Sequence, residues 1–294
     1  MTAERRIHTL IEVLKKSEKY LKEKGIASPR LEAEWMIQEV LGISRIGLYL
    51  NFDRPLTSPE LSKLREYVIR RSKGEPIQYI LGHTEFMGLK FLVNREVLIP
   101  RSDTEVIVEK TIEIIKGNPQ RTFEILDVGT GSGNIAVSIA NYCENVSIVA
   151  IDISSKILDV ARKNARLNKV HREIRFYVKD FLKHNLNNLG AYDILVSNPP
   201  YVGAVHYEKL PIEIKEHEPK IALFPGDDEL IFYRKIASVY KMLLKPDGYI
   251  ITEIGGDYQY KSIENIFKEA GLEVIEPIFD YAKEKRGIIA KVNG

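Results

Sequence analysis

The sequence predicts an α/β protein whose mostly parallel β-sheet is covered by helices on both faces, with a small helical bundle before it. Apolar runs typical of buried strands alternate with helical patterns in the last two thirds of the chain. One of these strands runs directly into a glycine-rich loop and a helix. Two final strand patterns lie close together and indicate a hairpin, which makes one terminal strand antiparallel.

The chain is predicted to fold in three parts. Residues 1–84 form the helical bundle, residues 85–100 a β-hairpin connector, and residues 101–294 the sheet domain. The connector is predicted from Phe86–Val93, which has the pattern of two short strands.

The bundle is predicted from amphipathic segments with clear start and stop signals. The first helix keeps a 3.6-residue period from Ile7 to Leu21 and ends at Gly25. Later helices begin at Ser28-Pro29 and Ser58-Pro59, where proline follows an N-cap residue. The second helix is expected to turn three residues toward the core: Leu31, Trp35 and Leu41.

In the sheet domain, the remaining elements alternate around one long proline-containing segment. A helix is predicted from Thr104 to Ile115, and Gly203–Asp228 is predicted to be mostly loop beside the site. Further predicted elements are helix Leu230–Leu244, strand Tyr249–Ile254, helix Tyr258–Ala270, and the paired strands Glu273–Phe279 and Gly287–Val292.

Composition excludes several classes of protein. The 294 residues are 44% hydrophobic with a net charge of +2, which supplies a normal core but no strong electrostatic signal for binding nucleic acid. Cys143, the single cysteine, excludes an internal disulfide, and no Cys/His cluster has metal-ligand spacing. The apolar runs fall far short of a membrane span, and Met1–Arg6 leads into a charged helix instead of a signal segment. We therefore expect a cytoplasmic protein without a metal.

The glycine-rich loop indicates the ligand. Strand Phe123–Val128 is followed by Gly129–Gly133 and then by a helix that starts at Asn134. Its pattern is Asp-x-Gly-x-Gly-x-Gly, with the third glycine one residue earlier than in the dinucleotide fingerprint. This pattern resembles motif I of S-adenosylmethionine-dependent methyltransferases, which have a Rossmann-like domain. The cofactor-binding residues expected from it are Asp127, Gly129, Thr130, Gly131, Ser132 and Gly133.

Acidic residues follow the next two predicted strands. Asp152, with Ile153 beside it, ends the apolar run Val146–Ile151, where a carboxylate can accept hydrogen bonds from ribose hydroxyls. Asp180 and Phe181 follow the strand Ile174–Val178. We expect Asp180 to accept from the adenine amine and Phe181 to cover the ring.

The turn Asn198-Pro199-Pro200-Tyr201 is predicted to hold the reacting group. It follows the buried run Ile194–Val196, and its prolines lack N–H groups and fix φ, so carbonyl oxygens remain available as acceptors. The Asn198 side-chain oxygen, also expected near the cofactor, and the Pro199 carbonyl can accept the two hydrogens of a planar NH2 group. Tyr201 is expected to lie flat against that group. Taken alone, the tetrapeptide is equally well explained as a proline turn closing a strand.

Four segments in order resemble the peptide-chain release factor glutamine methyltransferases, the HemK-type proteins. They are Glu75–Gly82, Leu98–Arg101, Asp127–Gly133 and Asn198–Tyr201. The resemblance implies that S-adenosylmethionine donates a methyl group to the glutamine side chain in the Gly-Gly-Gln loop of class I release factors, a step linked to translation termination, with S-adenosylhomocysteine as product. It also implies that the bundle recognises the release factor, and that Arg101, Asn198, Pro199, Pro200 and Tyr201 bind or methylate the substrate.

Three alternatives stay open. Other methyltransferases with this turn act on a ribosomal protein glutamine or on the exocyclic amine of adenine in nucleic acid. A nicotinamide-dependent oxidoreductase is disfavoured by the early third glycine. A non-catalytic binding module would fail to bind S-adenosylmethionine.

Overall fold

The computed structural model describes residues 8–293 and divides into two compact units. The first unit contains the chain up to Gly82 together with Ile212–His217, and the second contains the remainder. The predictions made for Met1–Arg6 and for Ile7 lie outside the described residues. Within residues 8–293, no helix combines the length and apolar character that crossing a membrane requires.

The first unit is helical. Its helices are α1 (Leu10–Glu23), α2 (Pro29–Leu41), α3 (Arg45–Leu50), α4 (Ser58–Ser72), α5 (Ile77–Leu81) and, from the later segment, α10 (Ile212–His217). Leu10, Leu14 and Leu21 of α1 are fully buried, as their spacing predicted. Gly25, just beyond α1, has a φ of +79°, which favours glycine and ends the helix.

The buried face of α2 differs from the prediction. Trp35 is 39% exposed, whereas Leu41 packs against the core as predicted, and the fully buried apolar side chains of α2 are Ala33, Met36 and Ile37. Two glutamates of α2 are buried as well, because arginines pair with them: Glu32 with Arg71, and Glu34 with Arg30. Paired glutamates let a helix bury a polar part of its surface, so apolar spacing alone placed Trp35 on the wrong side of α2.

The second unit contains the predicted sheet. Its strands are β3 (Phe123–Val128), β4 (Val146–Asp152), β5 (Ile174–Val178), β6 (Tyr192–Ser197), β7 (Leu244–Glu253), β8 (Glu273–Phe279) and β9 (Lys285–Lys291). The strand order is β5-β4-β3-β6-β7-β9-β8. Strands β3 to β7 pair in parallel, and β9 runs antiparallel to both of its neighbours. The α/β class with an antiparallel terminal strand is confirmed.

Helices cover both faces of this sheet. They are α6 (Glu105–Lys116), α7 (Asn134–Tyr142), α8 (Ser155–Leu167), α11 (Ile231–Leu243) and α12 (Asp257–Glu269), while the short helix α9 (Ala204–Glu208) lies in the segment after β6. Ile125 packs toward α6 and α7, whereas Leu126 packs toward α11 and α12, because successive strand residues point to opposite faces. Cys143 is buried in the first of these cores.

The predicted hairpin is present but begins earlier and belongs to the second unit. Its strands are β1 (His83–Phe86) and β2 (Leu89–Leu92), so the division between units falls after Gly82. Met87 and Gly88 both have positive φ, as a two-residue type I′ turn requires. The side chain of Asn164 on α8 bonds both the N–H and the carbonyl of Leu92, which ties the hairpin to the sheet domain.

The segment predicted as a long loop contains α9, α10 and a short 3-10 helix at Lys220–Ala222. Pro211 immediately precedes α10, and Pro219 immediately precedes the 3-10 helix. Proline is tolerated at the start of a helix, so neither residue prevents a helix from forming there. Glu213 on α10 pairs with Arg71 at 2.9 Å within the first unit.

Candidate active site

The carboxyl ends of β3, β4, β5 and β6 border a cavity of about 440 Å³ in the second unit. A parallel sheet places its ligands at this edge, because the loops after the strands converge there. Two further segments line the cavity, one including Glu96–Leu98 and Pro100–Arg101 and the other including Ile221–Ala222 and Phe224–Pro225.

The glycine loop opens its backbone to this cavity. Gly129 and Gly131 line it with φ of +73° and +55°, and a Cβ added at either would meet no atom within 4 Å. Thr130 and Ser132 line the cavity too. Gly133 does not line it; a Cβ there would lie 3.1 Å from that of Ala161 on α8. The first two glycines therefore leave space for a ligand beside the backbone, and the third lets α8 pack closely against the loop.

Asp127 lies behind the loop and does not line the cavity. Its side chain is fully buried, and Oδ2 accepts a hydrogen bond of 2.6 Å from the Thr130 hydroxyl. Among the described residues, Oδ1 has no hydrogen-bond partner. Burial raises the pKa of Asp127 to about 7, the Thr130 bond opposes this rise, and the charge of Asp152 adds to it.

Asp152 lines the cavity and is held by the backbone on both oxygens. Oδ2 accepts from the Gly131 N–H at 2.8 Å, and Oδ1 from the Ile153 N–H at 2.7 Å. A carboxylate oxygen has a second lone pair, so each can also accept from a ligand hydroxyl. Burial raises the pKa of Asp152, and the two backbone bonds counter the rise. Ile153 lines the cavity and is 42% exposed.

Asp180 and Phe181 line the cavity beyond β5. Oδ1 of Asp180 accepts from the N–H groups of Leu182 and Lys183 at 3.0 and 3.2 Å, which shapes the turn after the strand. Phe181 is buried and offers an apolar surface to the cavity.

Asn198, Pro199 and Pro200 line the cavity opposite the glycine loop. The Asn198 side-chain NH2 donates to the Thr104 hydroxyl at 3.0 Å. No described residue donates to the Asn198 side-chain oxygen or to the Pro199 carbonyl. Both predicted acceptors are therefore available for a ligand.

Tyr201 does not line the cavity. Its hydroxyl donates to Glu253 at 2.9 Å, its carbonyl accepts from Gln259, and its ring packs on the core that faces α11 and α12. A buried tyrosine hydroxyl needs a hydrogen-bond partner, and Glu253 supplies one. Stacking of Tyr201 on a substrate stays a prediction, and this placement does not support it.

Comparison with known proteins identifies the family. Residues 12–82 match the model of the PrmC N-terminal domain, and residues 110–213 match the methyltransferase small domain. The chain is 40% identical to the release factor glutamine methyltransferase of Geobacter sulfurreducens over 92% of each protein. It is 36% identical to the one of Fusobacterium nucleatum subsp. nucleatum, over 96% of this chain and 78% of that protein.

The chain belongs to the release factor glutamine methyltransferase family. A solved methyltransferase from Pyrococcus furiosus, 15% identical, aligns over 81% of this chain and all of its own with a TM-score of 0.51, which shows a shared fold.

Members of this family use S-adenosylmethionine, and the cavity suits it. Its volume lies within the range of about 300–1,000 Å³ that is usual for cofactor sites. The open backbone at Gly129 and Gly131 permits close approach, Asp152 offers acceptors for hydroxyls, and Phe181 offers an apolar face. Within residues 8–293, no cluster of three or more side chains has the composition and spacing of a metal site.

Arg101, predicted to bind substrate, lines the cavity and forms an ion pair with Glu218. Glu218 is buried, and its other oxygen accepts from the Ile99 N–H at 3.2 Å. This pair fastens the segment that starts at Glu218 to the Ile99–Arg101 segment, and it compensates the charge of Arg101. Substrate binding by Arg101 stays a prediction.

Sequence reasoning missed Thr104, which lines the cavity beside Asn198, and Glu253, which lies behind them. Glu253 is fully buried and ends β7 after an apolar run, so a lone carboxylate at the carboxyl end of a buried strand was the available signal. Burial raises the pKa of Glu253 to about 7, while the hydroxyl groups of Thr104 and Tyr201 oppose the rise.

Proposed function

We propose that this protein transfers a methyl group from S-adenosylmethionine to the side-chain amide of a glutamine in a release factor. One observation carries the proposal: two hydrogen-bond acceptors, the Asn198 side-chain oxygen and the Pro199 carbonyl, stand on the wall of the cavity that the glycine loop opens. A pair of acceptors matches the two hydrogens of a primary amide.

The chemistry requires orientation more than a strong base. An amide nitrogen is a poor nucleophile, because its lone pair is delocalised into the carbonyl group. When bound, the cofactor would supply a methyl group activated by a sulfonium: the S–C bond breaks, the N–C bond forms, S-adenosylhomocysteine leaves, and the amide nitrogen loses one proton to water. Asn198 and Pro199 hold the NH2 group and stabilise the positive charge that develops on its nitrogen. Pro200 shapes the wall beside them.

We propose further that the glutamine belongs to the Gly-Gly-Gln loop of class I release factors, as the family resemblance implies. Free glutamine is an abundant competitor, so selectivity requires contacts with the rest of the protein substrate. The predicted recognition domain, residues 1–84, offers exposed apolar side chains on α3, with Ile46 73% and Leu50 80% exposed. This function would place the protein in the cytoplasm, where release factors act.

Labelled methyl transfer tests the substrate. Purified unmethylated release factor is incubated with labelled S-adenosylmethionine and the protein, beside a release factor whose loop glutamine is replaced by alanine. Label on the first alone supports the proposal. Label on neither, with cofactor binding shown by calorimetry, would redirect the search to ribosomal proteins or nucleic acid.

Two sets of variants test the assigned residues. Asn198→Ala should lower kcat by roughly 100-fold, the size expected for losing one oriented group, with little change in cofactor affinity. Ile46→Asp with Leu50→Asp should raise KM for the release factor, whereas Ile275→Asp, at a residue 46% exposed on β8, serves as the matched control. Unchanged kcat in the first variant would contradict the role of Asn198.

A further inference from the structure

Two side chains of the Asn198–Tyr201 turn converge on one buried carboxylate. The Tyr201 hydroxyl donates to Oε1 of Glu253 at 2.9 Å. The Asn198 NH2 donates to the Thr104 hydroxyl at 3.0 Å, and that hydroxyl in turn stabilises the ionised form of Glu253. Thr104 and Asn198 line the cavity, whereas Glu253 lies behind them, fully buried.

The direction of these hydrogen bonds decides which end of the Asn198 amide faces the cavity. Thr104 uses its oxygen to accept from Asn198, so its own hydrogen needs an acceptor. Oε2 of Glu253 is buried and has no hydrogen-bond partner among the described residues, so it is the acceptor open to that hydrogen. An ionised carboxylate only accepts, so it draws the Thr104 hydrogen toward itself. The Thr104 oxygen then faces the Asn198 NH2, and the amide oxygen is left for the cavity.

We propose that Glu253, acting through Thr104, is a positioning residue that turns the acceptor oxygen of Asn198 toward the substrate amide. The inference rests on the proposed function, in which that oxygen accepts a hydrogen of the substrate NH2 group. Tyr201 helps to hold the same turn in place, because its hydroxyl donates to Glu253 from the other end of the turn.

The surroundings of Glu253 give the network a dependence on pH. Beyond Thr104 and Tyr201, the Tyr233 hydroxyl donates to the Glu253 main-chain carbonyl, and the charges of Arg286 and Asp103 act on the carboxylate in opposite directions. Arg286 also pairs with Asp280. Burial is the largest influence and holds the pKa of Glu253 at about 7.

Protonation reverses the polarity of the network. A protonated Glu253 donates to Thr104, and Thr104 can then donate to the Asn198 oxygen. The amide would turn its NH2 group toward the cavity, where it opposes the NH2 group of the substrate. Activity is therefore expected to fall as the pH drops through about 7, the pKa of Glu253.

The test is a pH series of kcat at saturating cofactor and release factor. Variants are Glu253→Gln, Thr104→Val and Thr104→Ser, with Glu269→Gln as the matched control at an exposed site of α12. Glu253→Gln and Thr104→Val should lower kcat by roughly 10–100-fold, as for other losses of an oriented group. They should also lose the acidic limb of the profile. Thr104→Ser keeps the hydroxyl and should retain most of the activity.

Two further measurements test whether the effect is specific to Glu253: the affinity of each variant for S-adenosylmethionine and the pH profile of an Asp127 variant. Calorimetry should show S-adenosylmethionine affinity within about threefold of the parent for each variant, a change below 1 kcal/mol. Asp127 also has a pKa of about 7, so the profile is repeated in Asp127→Asn at saturating cofactor; whatever the kcat of this variant, its profile should keep the acidic limb.

Three results separate the possibilities. If Glu253→Gln and Thr104→Val change only the melting temperature, with kcat and the acidic limb intact, the positioning role is overturned. The proposed function fails separately, if the parent protein transfers no methyl group to release factor. If Glu253→Gln does not fold, the comparison of Thr104→Val with Thr104→Ser decides, and equal kcat values would refute the inference.

Discussion

Replacing Asp152 by asparagine should weaken cofactor binding without weakening the fold. The carboxylate accepts one backbone N–H on each oxygen, from Gly131 and Ile153, and keeps lone pairs for a ligand hydroxyl. Asparagine has the same shape but one acceptor, so its NH2 group must face either a backbone N–H or the ligand hydroxyls. A hydrogen bond to a charged group contributes about 1.5–3 kcal/mol, which corresponds to roughly 10–150-fold in affinity.

Stability should change little in this variant, because two effects oppose each other. One backbone bond is lost, but burial disfavours the ionised carboxylate and asparagine carries no charge. Calorimetric titration with S-adenosylmethionine measures the affinity, and a thermal melt verifies the fold. Asp159→Asn is the matched control on α8, where an exposed carboxylate pairs with Arg162 at 3.1 Å. Equal affinities for the parent and Asp152→Asn would refute the assignment.

Three further predictions concern stability. Gly133→Ala combines a φ of +81° with a Cβ 3.1 Å from Ala161, so it should lower the free energy of unfolding by about 2 kcal/mol or more. Gly190→Ala, with positive φ and open space, should lower it by only about 1 kcal/mol; equal losses would contradict the packing argument. Asn164→Ala removes three hydrogen bonds, which join Asn164 to the N–H and the carbonyl of Leu92 and to the Ser132 carbonyl. It should lower the free energy of unfolding by roughly 3 kcal/mol in denaturant titrations. The exposed control Asn187→Ala should leave that free energy unchanged. The pKa of Asp127 is raised from 3.8 to about 7, so the folded state holds the proton more tightly and the parent loses stability as pH rises between these values. Between pH 5 and pH 8, the free energy of unfolding of Asp127→Asn should therefore rise relative to that of the parent by roughly 3 kcal/mol. A difference between the two proteins that does not change with pH would show that Asp127 does not titrate in this range.

The glycine loop and the strand before it were predictable, because the local sequence determines the backbone conformation of each. Gly129, Gly131 and Gly133 all have positive φ, which few other residues adopt, and their spacing alone indicated the ligand class. The apolar run Phe123–Val128 coincides with β3, since a buried parallel strand is apolar on both faces. The edge of the sheet at which the site lies was also predictable, because parallel strands bring their carboxyl ends together.

Partnerships between distant side chains were decided by the tertiary structure. Nothing near Tyr201 in the sequence indicates that its hydroxyl meets Glu253, which lies 52 residues further along the chain. Likewise, Arg101 meets Glu218 across 117 residues.

The same limit explains why the sequence placed Trp35 on the buried side of α2. Whether Glu32 is buried depends on Arg71, 39 residues away, and no periodicity in the helix carries that information.

The sequence by itself therefore determined the fold class, the glycine loop and the acceptor turn, because each is a local requirement of the backbone. Only the tertiary structure decided which carboxylates are buried and which side chains orient the turn. Burial and pairing are properties of elements brought together from distant parts of the chain.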